Sequence, residues 1–237
     1  MIVSHKHKFI FIKPPKVAGT SVELILSRIV AEGDIITPFG YSPDESLREK
    51  WGAKKPQNFS RKLAPWHWSP WLLKNRILLG KGNRFEHWSF SEHLKPDVIK
   101  RKLKNGKFND YLKISIIRNP WDQAVSQFHW ELYQETFFGG FEEFIHTRYR
   151  SIWPYYIDEF QNFCVDYVIR FEFLETDVTS LLCKLNMSSV NVDFPKAKTT
   201  VRSSRKPYQE YFYNRDLVDQ VRYKNFFLID RFGYDFE

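Results

Sequence analysis

The stretch that most constrains this chain runs from Phe9-Ile10-Phe11-Ile12 through Lys13-Pro14-Pro15-Lys16 into apolar residues at helical spacing. The apolar, β-rich run is short and stops at two prolines, as a buried strand does. Beyond Gly19 the residues Val22, Ile25, Leu26, Ile29 and Val30 recur with a helical period, and Thr20 or Ser21 is the expected N-cap. A strand handing over to a helix through a tight loop is half of a strand–helix–strand unit. Two more such units follow. Residues 111–117 form a strand that passes through Arg118-Asn119-Pro120 into a helix from Trp121 to Tyr133, with Pro120 at its start. Residues 165–171 form another, followed by a helical pattern over 174–185. This alternation predicts an α/β fold with a central, mainly parallel sheet flanked by helices on both faces.

The remaining segments are less regular. Residues 91–103, 141–149 and 207–223 carry helical patterns, and Phe226-Phe227-Leu228-Ile229 is expected to be a last short strand. Residues 33–84 are rich in Pro, Trp, Lys and Arg and show no periodicity. With 237 residues and no internal repeat, the chain is expected to be one domain, 1–237.

Thirty-six Lys and Arg against 28 Asp and Glu leave a net charge of +8, which favours anionic partners: nucleic acid, an anionic cofactor or an acidic glycan. Aromatic residues are 18% of the chain, so they are expected to carry much of the core and some ligand stacking. Cys164 and Cys183 lack the spacing of a zinc site or a redox pair and lie in apolar stretches, where free buried thiols are expected. The N-terminal apolar run is too short for a secretory signal, and no run approaches eighteen apolar residues; the expectation is a cytoplasmic protein without a membrane span.

Lys13-Pro14-Pro15-Lys16-Val17-Ala18-Gly19-Thr20-Ser21 lies where the first strand meets its helix. A helix N-terminus presents backbone N–H groups and a positive dipole end, which together attract anions. Gly19 allows close approach, Lys16 adds a mobile charge, and Thr20 and Ser21 add hydroxyls. The pattern differs from the nucleotide triphosphatase loop, because the lysine precedes the glycine. Arg118-Asn119-Pro120-Trp121-Asp122 through Ser126 repeats the placement at a second strand end. In a parallel sheet both loops open at the carboxyl edge, where Arg118 and Ser126 suit a second phosphate unless Arg118 is spent on Asp122.

These two segments, with Arg170-Phe171-Glu172-Phe173-Leu174-Glu175-Thr176-Asp177 and Phe232-Gly233-Tyr234-Asp235-Phe236, resemble the sulfotransferases of the carbohydrate (family 2) type, which use 3′-phosphoadenosine-5′-phosphosulfate (PAPS). The resemblance covers nearly the whole chain and implies the nucleotide-triphosphatase-like sulfotransferase fold. It implies that Lys16, Val17, Ala18, Gly19, Thr20 and Ser21 hold the 5′-phosphosulfate and that Arg118 and Ser126 hold the 3′-phosphate. Lys16 would also act in catalysis, on the bridging oxygen as charge builds on the leaving phosphate. His87, in His87-Trp88-Ser89-Phe90-Ser91-Glu92, is implied as the general base, with His93 as its competitor inside the expected helix. Lys198 and Arg202, in a basic loop, are implied to close over the nucleotide unless that loop is simply solvated. Three departures from the family pattern stand out: Lys13 where His is frequent, Val17 in place of Thr, and Gln123 in place of Arg, which is expected to weaken the positive field at the 3′-phosphate.

The resulting expectation is sulfuryl transfer from PAPS to an acceptor hydroxyl, carbohydrate-like by preference, releasing 3′-phosphoadenosine-5′-phosphate (PAP), with no metal and no nucleic-acid partner. A kinase, or a non-catalytic binder of nucleic acid or acidic glycan, is the alternative. Ala64-Pro65-Trp66-His67-Trp68-Ser69-Pro70-Trp71 is either a sugar-stacking surface or core, and residues 33–84 are expected to shape the acceptor pocket.

Overall fold

A computed structural model describes residues 1–40, 42–62, 86–190, 192–193 and 206–236. Its centre is a five-stranded sheet in the order β3-β1-β2-β6-β7. Strands β2 (Phe9–Phe11), β6 (Leu112–Ile117) and β7 (Tyr167–Arg170) run parallel. Strands β1 (Ile2–Ser4) and β3 (Ile35–Ile36) add an antiparallel edge, so the sheet is mixed with a parallel core. Residues Ser60–Lys62 (β4) and Glu86–Trp88 (β5) form a separate antiparallel pair.

Alternation along the strands explains why both faces are covered. Ile2, Phe9, Phe11, Ile114 and Ile116 enter one core with α1 (Gly19–Ser27), whereas Val3, Ile10 and Ile12 pack on the other face with Ile99, Leu103 and Phe108. Nine residues are too few for a helix to hold in isolation, where about 12–15 are needed, so α1 depends on packing; all nine of its residues are buried. A third, aromatic core joins α5 (Pro120–Tyr133) to α6 (Phe141–Glu143), to the π-helical turn Phe144–Arg148 and to α8 (Arg215–Lys224). There Phe236 packs edge-on against Trp121 and Phe212, with ring centroids 5.5 and 5.2 Å apart, which gives the C-terminal aromatic motif a structural role.

Several expectations change. Residues 226–229 belong to a helix, α9 (Phe226–Phe232), closed by Gly233 at φ 66°; Leu228 is buried while Phe226 and Phe227 are exposed. Within the supposedly irregular 33–84, a helix α2 (Ser42–Lys50) and the strands β3 and β4 are regular. The helix expected over 91–103 is shorter, α3 (Pro96–Lys102), and begins at its proline, which leaves His93 in the preceding turn. A four-residue helix, α4 (Lys107–Asp110), then leads into β6. The segment 207–223 is a 3₁₀ turn, Tyr208–Tyr211, followed by α8 with Asn214 as its cap. Cys164 is half-buried, but Cys183 is exposed near the end of α7 (Leu174–Lys184); both are free thiols. Among the described residues no helix is long and apolar enough to cross a membrane.

Candidate functional site

Because β2 and β6 are adjacent and parallel, the loops at their carboxyl ends lie side by side. Pairing continues past the strand, with Ile12 N–H donating to Ile114 O at 2.8 Å. Beyond it the first loop curls through two left-handed residues, Lys16 (φ 64°) and Ala18 (φ 62°), before α1 begins at Gly19. Neither Thr20 nor Ser21 caps the helix. Ala18 holds the cap position without a side-chain hydrogen bond, and no acidic residue sits in the first turn. The positive end of α1 is therefore uncompensated by its own sequence. Val17 is fully buried in the core, so it contributes only its backbone, and the hydroxyl expected from the family pattern has no place on that side chain.

The second loop is built differently. Asn119 caps α5 by accepting from the N–H groups of Trp121 and Asp122 at 3.0 and 3.3 Å, so this helix end is satisfied internally and the loop offers side chains instead. Arg118 donates to Asp122 Oδ2 at 2.7–2.8 Å, the local ion pair considered from sequence, and also reaches Lys16 O at 3.0 Å. Its guanidinium lies over the Phe171 ring, 4.1 Å from the centroid. Gln123 does not face the site. It is fully buried, with Nε2 donating to Pro15 O at 3.4 Å, so it joins α5 to the first loop rather than tuning a phosphate field.

Both loops open into one cavity of about 520 Å³. Lys16, Gly19, Thr20 and Ser21 line one side, and Arg118 and Ser126 line the other. Glu92, His93, His129, Trp130 and Glu131 also line it. The Lys16 ammonium rests over the Trp130 ring, 4.4 Å from its centroid. Trp130 was not singled out from sequence, although it lies four residues after Ser126 on the same helix and hence on the same face.

His93 Nε2 is 2.9 Å from Glu92 Oε1, and His93 Nδ1 is 2.7 Å from Lys13 O. Glu92 Oε2 accepts from Gly40 N–H at 2.7 Å. Burial would raise the Glu92 pKa, but the hydrogen bond from His93 and the charge of Lys13 outweigh it and hold the carboxyl well below the usual range. Beneath the cradle lies Glu23, fully buried. Burial again opposes its ionisation, yet Lys13, the Met1 amino group and Arg48 together lower its pKa to about 2. Lys13 occupies the space where Gly19 lacks a Cβ: a methyl there would meet Lys13 Cγ at 2.5 Å.

His87 sits in β5, paired in register with Arg61; its side chain lies outside the described residues. Lys198, Arg202 and the Trp-rich segment 64–71 lie wholly outside them. Among the described residues no cluster of His, Cys, Asp or Glu is arranged to hold a metal ion.

The sequence model of the Sulfotransferase family matches residues 1–235. The chain belongs to the sulfotransferase family. No curated protein and no solved structure gives a significant match. As a sulfotransferase the chain is an enzyme, which sets aside the kinase and non-catalytic readings. The mixed sheet with its parallel centre is consistent with that family's fold.

Proposed function

We propose that this sulfotransferase takes its sulfuryl group from PAPS and delivers it to an acceptor hydroxyl, carbohydrate-like by preference. The observation that carries the reading is the convergence of two strand-end loops on one cavity: an uncompensated helix N-terminus on one side, Arg118 and Ser126 on the other. A cavity of about 520 Å³ falls within the range usual for ligand sites, roughly 300–1,000 Å³. Its cations suit a ligand with phosphates at two ends, and the two carboxylates in its wall are already paired, Glu92 with Lys13 and His93 and Glu131 with Arg148.

In this reading the N–H groups at the start of α1 hold the 5′-phosphosulfate, and Thr20 and Ser21 add hydroxyl donors. Arg118 and Ser126 hold the 3′-phosphate. Lys16 leaves the Trp130 face and neutralises charge on the departing phosphate. The acceptor oxygen bonds to sulfur as the sulfur–oxygen bond to the phosphate breaks, and its proton passes to a base. His87 remains the candidate base by resemblance with His93 as its competitor, and His93 and His129 both line the cavity. Lys198 and Arg202 are proposed to close over the nucleotide. Cytoplasmic residence belongs to the same proposal, supported by two unpaired cysteines.

Calorimetry with PAP and with ATP plus Mg²⁺ tests the donor. PAP should bind more tightly, because Arg118 and Ser126 would meet a 3′-phosphate that ATP lacks. Equal binding, or a preference for ATP, would overturn the assignment.

A further inference from the structure

Lys13 stands outside the reaction as described, yet it is one of the most constrained side chains near the cavity. It leaves the end of β2, passes under Gly19 in the space of the missing Cβ, and ends almost fully buried between two carboxylates. Its ammonium is 3.1 Å from Glu23 Oε2 and 3.3 Å from Glu92 Oε1, ion-pair contacts whose angles fall short of hydrogen bonds, and 4.5 Å from the Phe39 ring centroid. Its own carbonyl faces His93 Nδ1.

Two physical constraints follow. A carbonyl and a carboxylate only accept hydrogen bonds, so His93 satisfies both contacts only by donating from both ring nitrogens. Glu92 is deep enough that it stays a carboxylate only because cations face it. The basic groups that face it come from three elements: Lys13 at the end of β2, His93 in the turn before α3, and, at longer range, the Met1 amino group beside β1, whose own pKa burial lowers to about 6. Gly40 adds its N–H, and Glu23 on α1 opposes them from across Lys13.

We infer that Lys13 is a positioning residue: its buried ammonium fixes Glu92, Glu92 orients His93 at the cavity wall, and the Lys13 stem ties that pair to the phosphate cradle through Gly19. The role in turnover rests on the donor reading above. The Lys13–Glu92–His93 arrangement does not, so the two can fail separately.

Lys13→Met keeps an unbranched stem against Gly19 and removes the charge. In this variant the Glu92 carboxyl, followed by ¹³C NMR and assigned by its loss in Glu92→Gln, should titrate at higher pH than in the parent. PAP affinity by calorimetry should stay within about twofold, because the cradle N–H groups are untouched. PAP release from PAPS, with water as acceptor, should fall tenfold or more in kcat at unchanged KM, and the pH–rate profile should move. Glu92→Gln should give a similar loss, and the double variant should be no worse than either single one, as for residues acting as a unit. An unmoved Glu92 titration, or additive losses in kcat that track folded protein alone, would overturn the role. Should Lys13→Met not fold, Glu92→Gln retains the Lys13–Glu23 pair and carries the test: unchanged kcat and an unchanged pH–rate profile would overturn it. Absence of PAP binding to the parent would sink the donor reading while leaving the NMR result to decide on Lys13.

Discussion

Arg118 is engaged before any ligand arrives, by Asp122, by the Lys16 carbonyl and by the Phe171 ring. On the proposed donor reading, these contacts hold in place the guanidinium of a residue that lines the cavity and so preorganise it for phosphate. Arg118→Ala should weaken PAP binding by on the order of 1.5–3 kcal/mol, the range for a hydrogen bond to a charged group. Lysine should restore only part, since it lacks the planar fork. Calorimetry checks both, and full affinity in a folded Arg118→Ala protein would leave the residue as a local ion pair only. That Arg118, Ser126, Lys16 and residues 18–21 gather at one cavity was legible because both loops follow apolar runs that end abruptly. Glu23 was not. Between Val22 and Leu24 it looks like the polar side of an amphipathic helix, yet α1 is buried all round and Glu23 meets basic groups from three other segments. The burial of Gln123 against Pro15 O was hidden for a similar reason, because its place beside a binding motif suggested only a weaker positive field at the 3′-phosphate.

The two loop helices present opposite kinds of N-terminus. α1 is uncapped by side chains and faces the cavity, whereas α5 is closed by Asn119 with Pro120 at its first position. Asn119→Ala should therefore cost about 1 kcal/mol of stability, within the roughly 0.5–2 expected for a cap. Urea denaturation measures it, and a change near zero would mean that water replaces the cap without loss. Its kinetic signature should differ from that of Arg118, because Asn119 has no proposed contact with phosphate. Helix α5 and strand β6 were readable from proline and apolar runs. α2 was not, for Ser42-Pro43-Asp44-Glu45-Ser46-Leu47-Arg48-Glu49-Lys50 has a single apolar residue. Its signal was the S-x-x-E start with proline second, acids in the first turn and bases in the last. α9 failed in the opposite direction: four apolar residues in a row fit a strand or a buried helix equally, and only packing of Leu228 inward chooses.

Across the whole molecule, the Glu23 network links β1, the end of β2, α1 and α2 by charge. The folded pKa of Glu23, about 2, lies below its ordinary 4.5. The sign is that of a depressed acid: its contribution to stability is complete above about pH 4.5 and is lost as the pH falls towards 2. Glu23→Gln should cost on the order of 3–5 kcal/mol at neutral pH, because it strands buried cations, and should flatten the acid branch. Urea melts at pH 7 and pH 3 would show it; parallel curves for parent and variant would exclude Glu23 as the acid-sensitive group. The α/β class and the shared edge of the two loops were foreseeable at this scale, since strands alternate with helices. The antiparallel edge was not, because β1 and β3 have three and two residues, too few for any periodicity. The adjacency of β2 and β6 has a further consequence. Neighbouring strands lie about 4.8 Å apart whatever their side chains, so the sheet acts as a ruler on which the two anchoring loops are mounted at a standard gauge. On the proposed donor reading, the walls of the cavity can then be re-cut for new acceptors while the spacing of the donor's two anchors keeps its calibration.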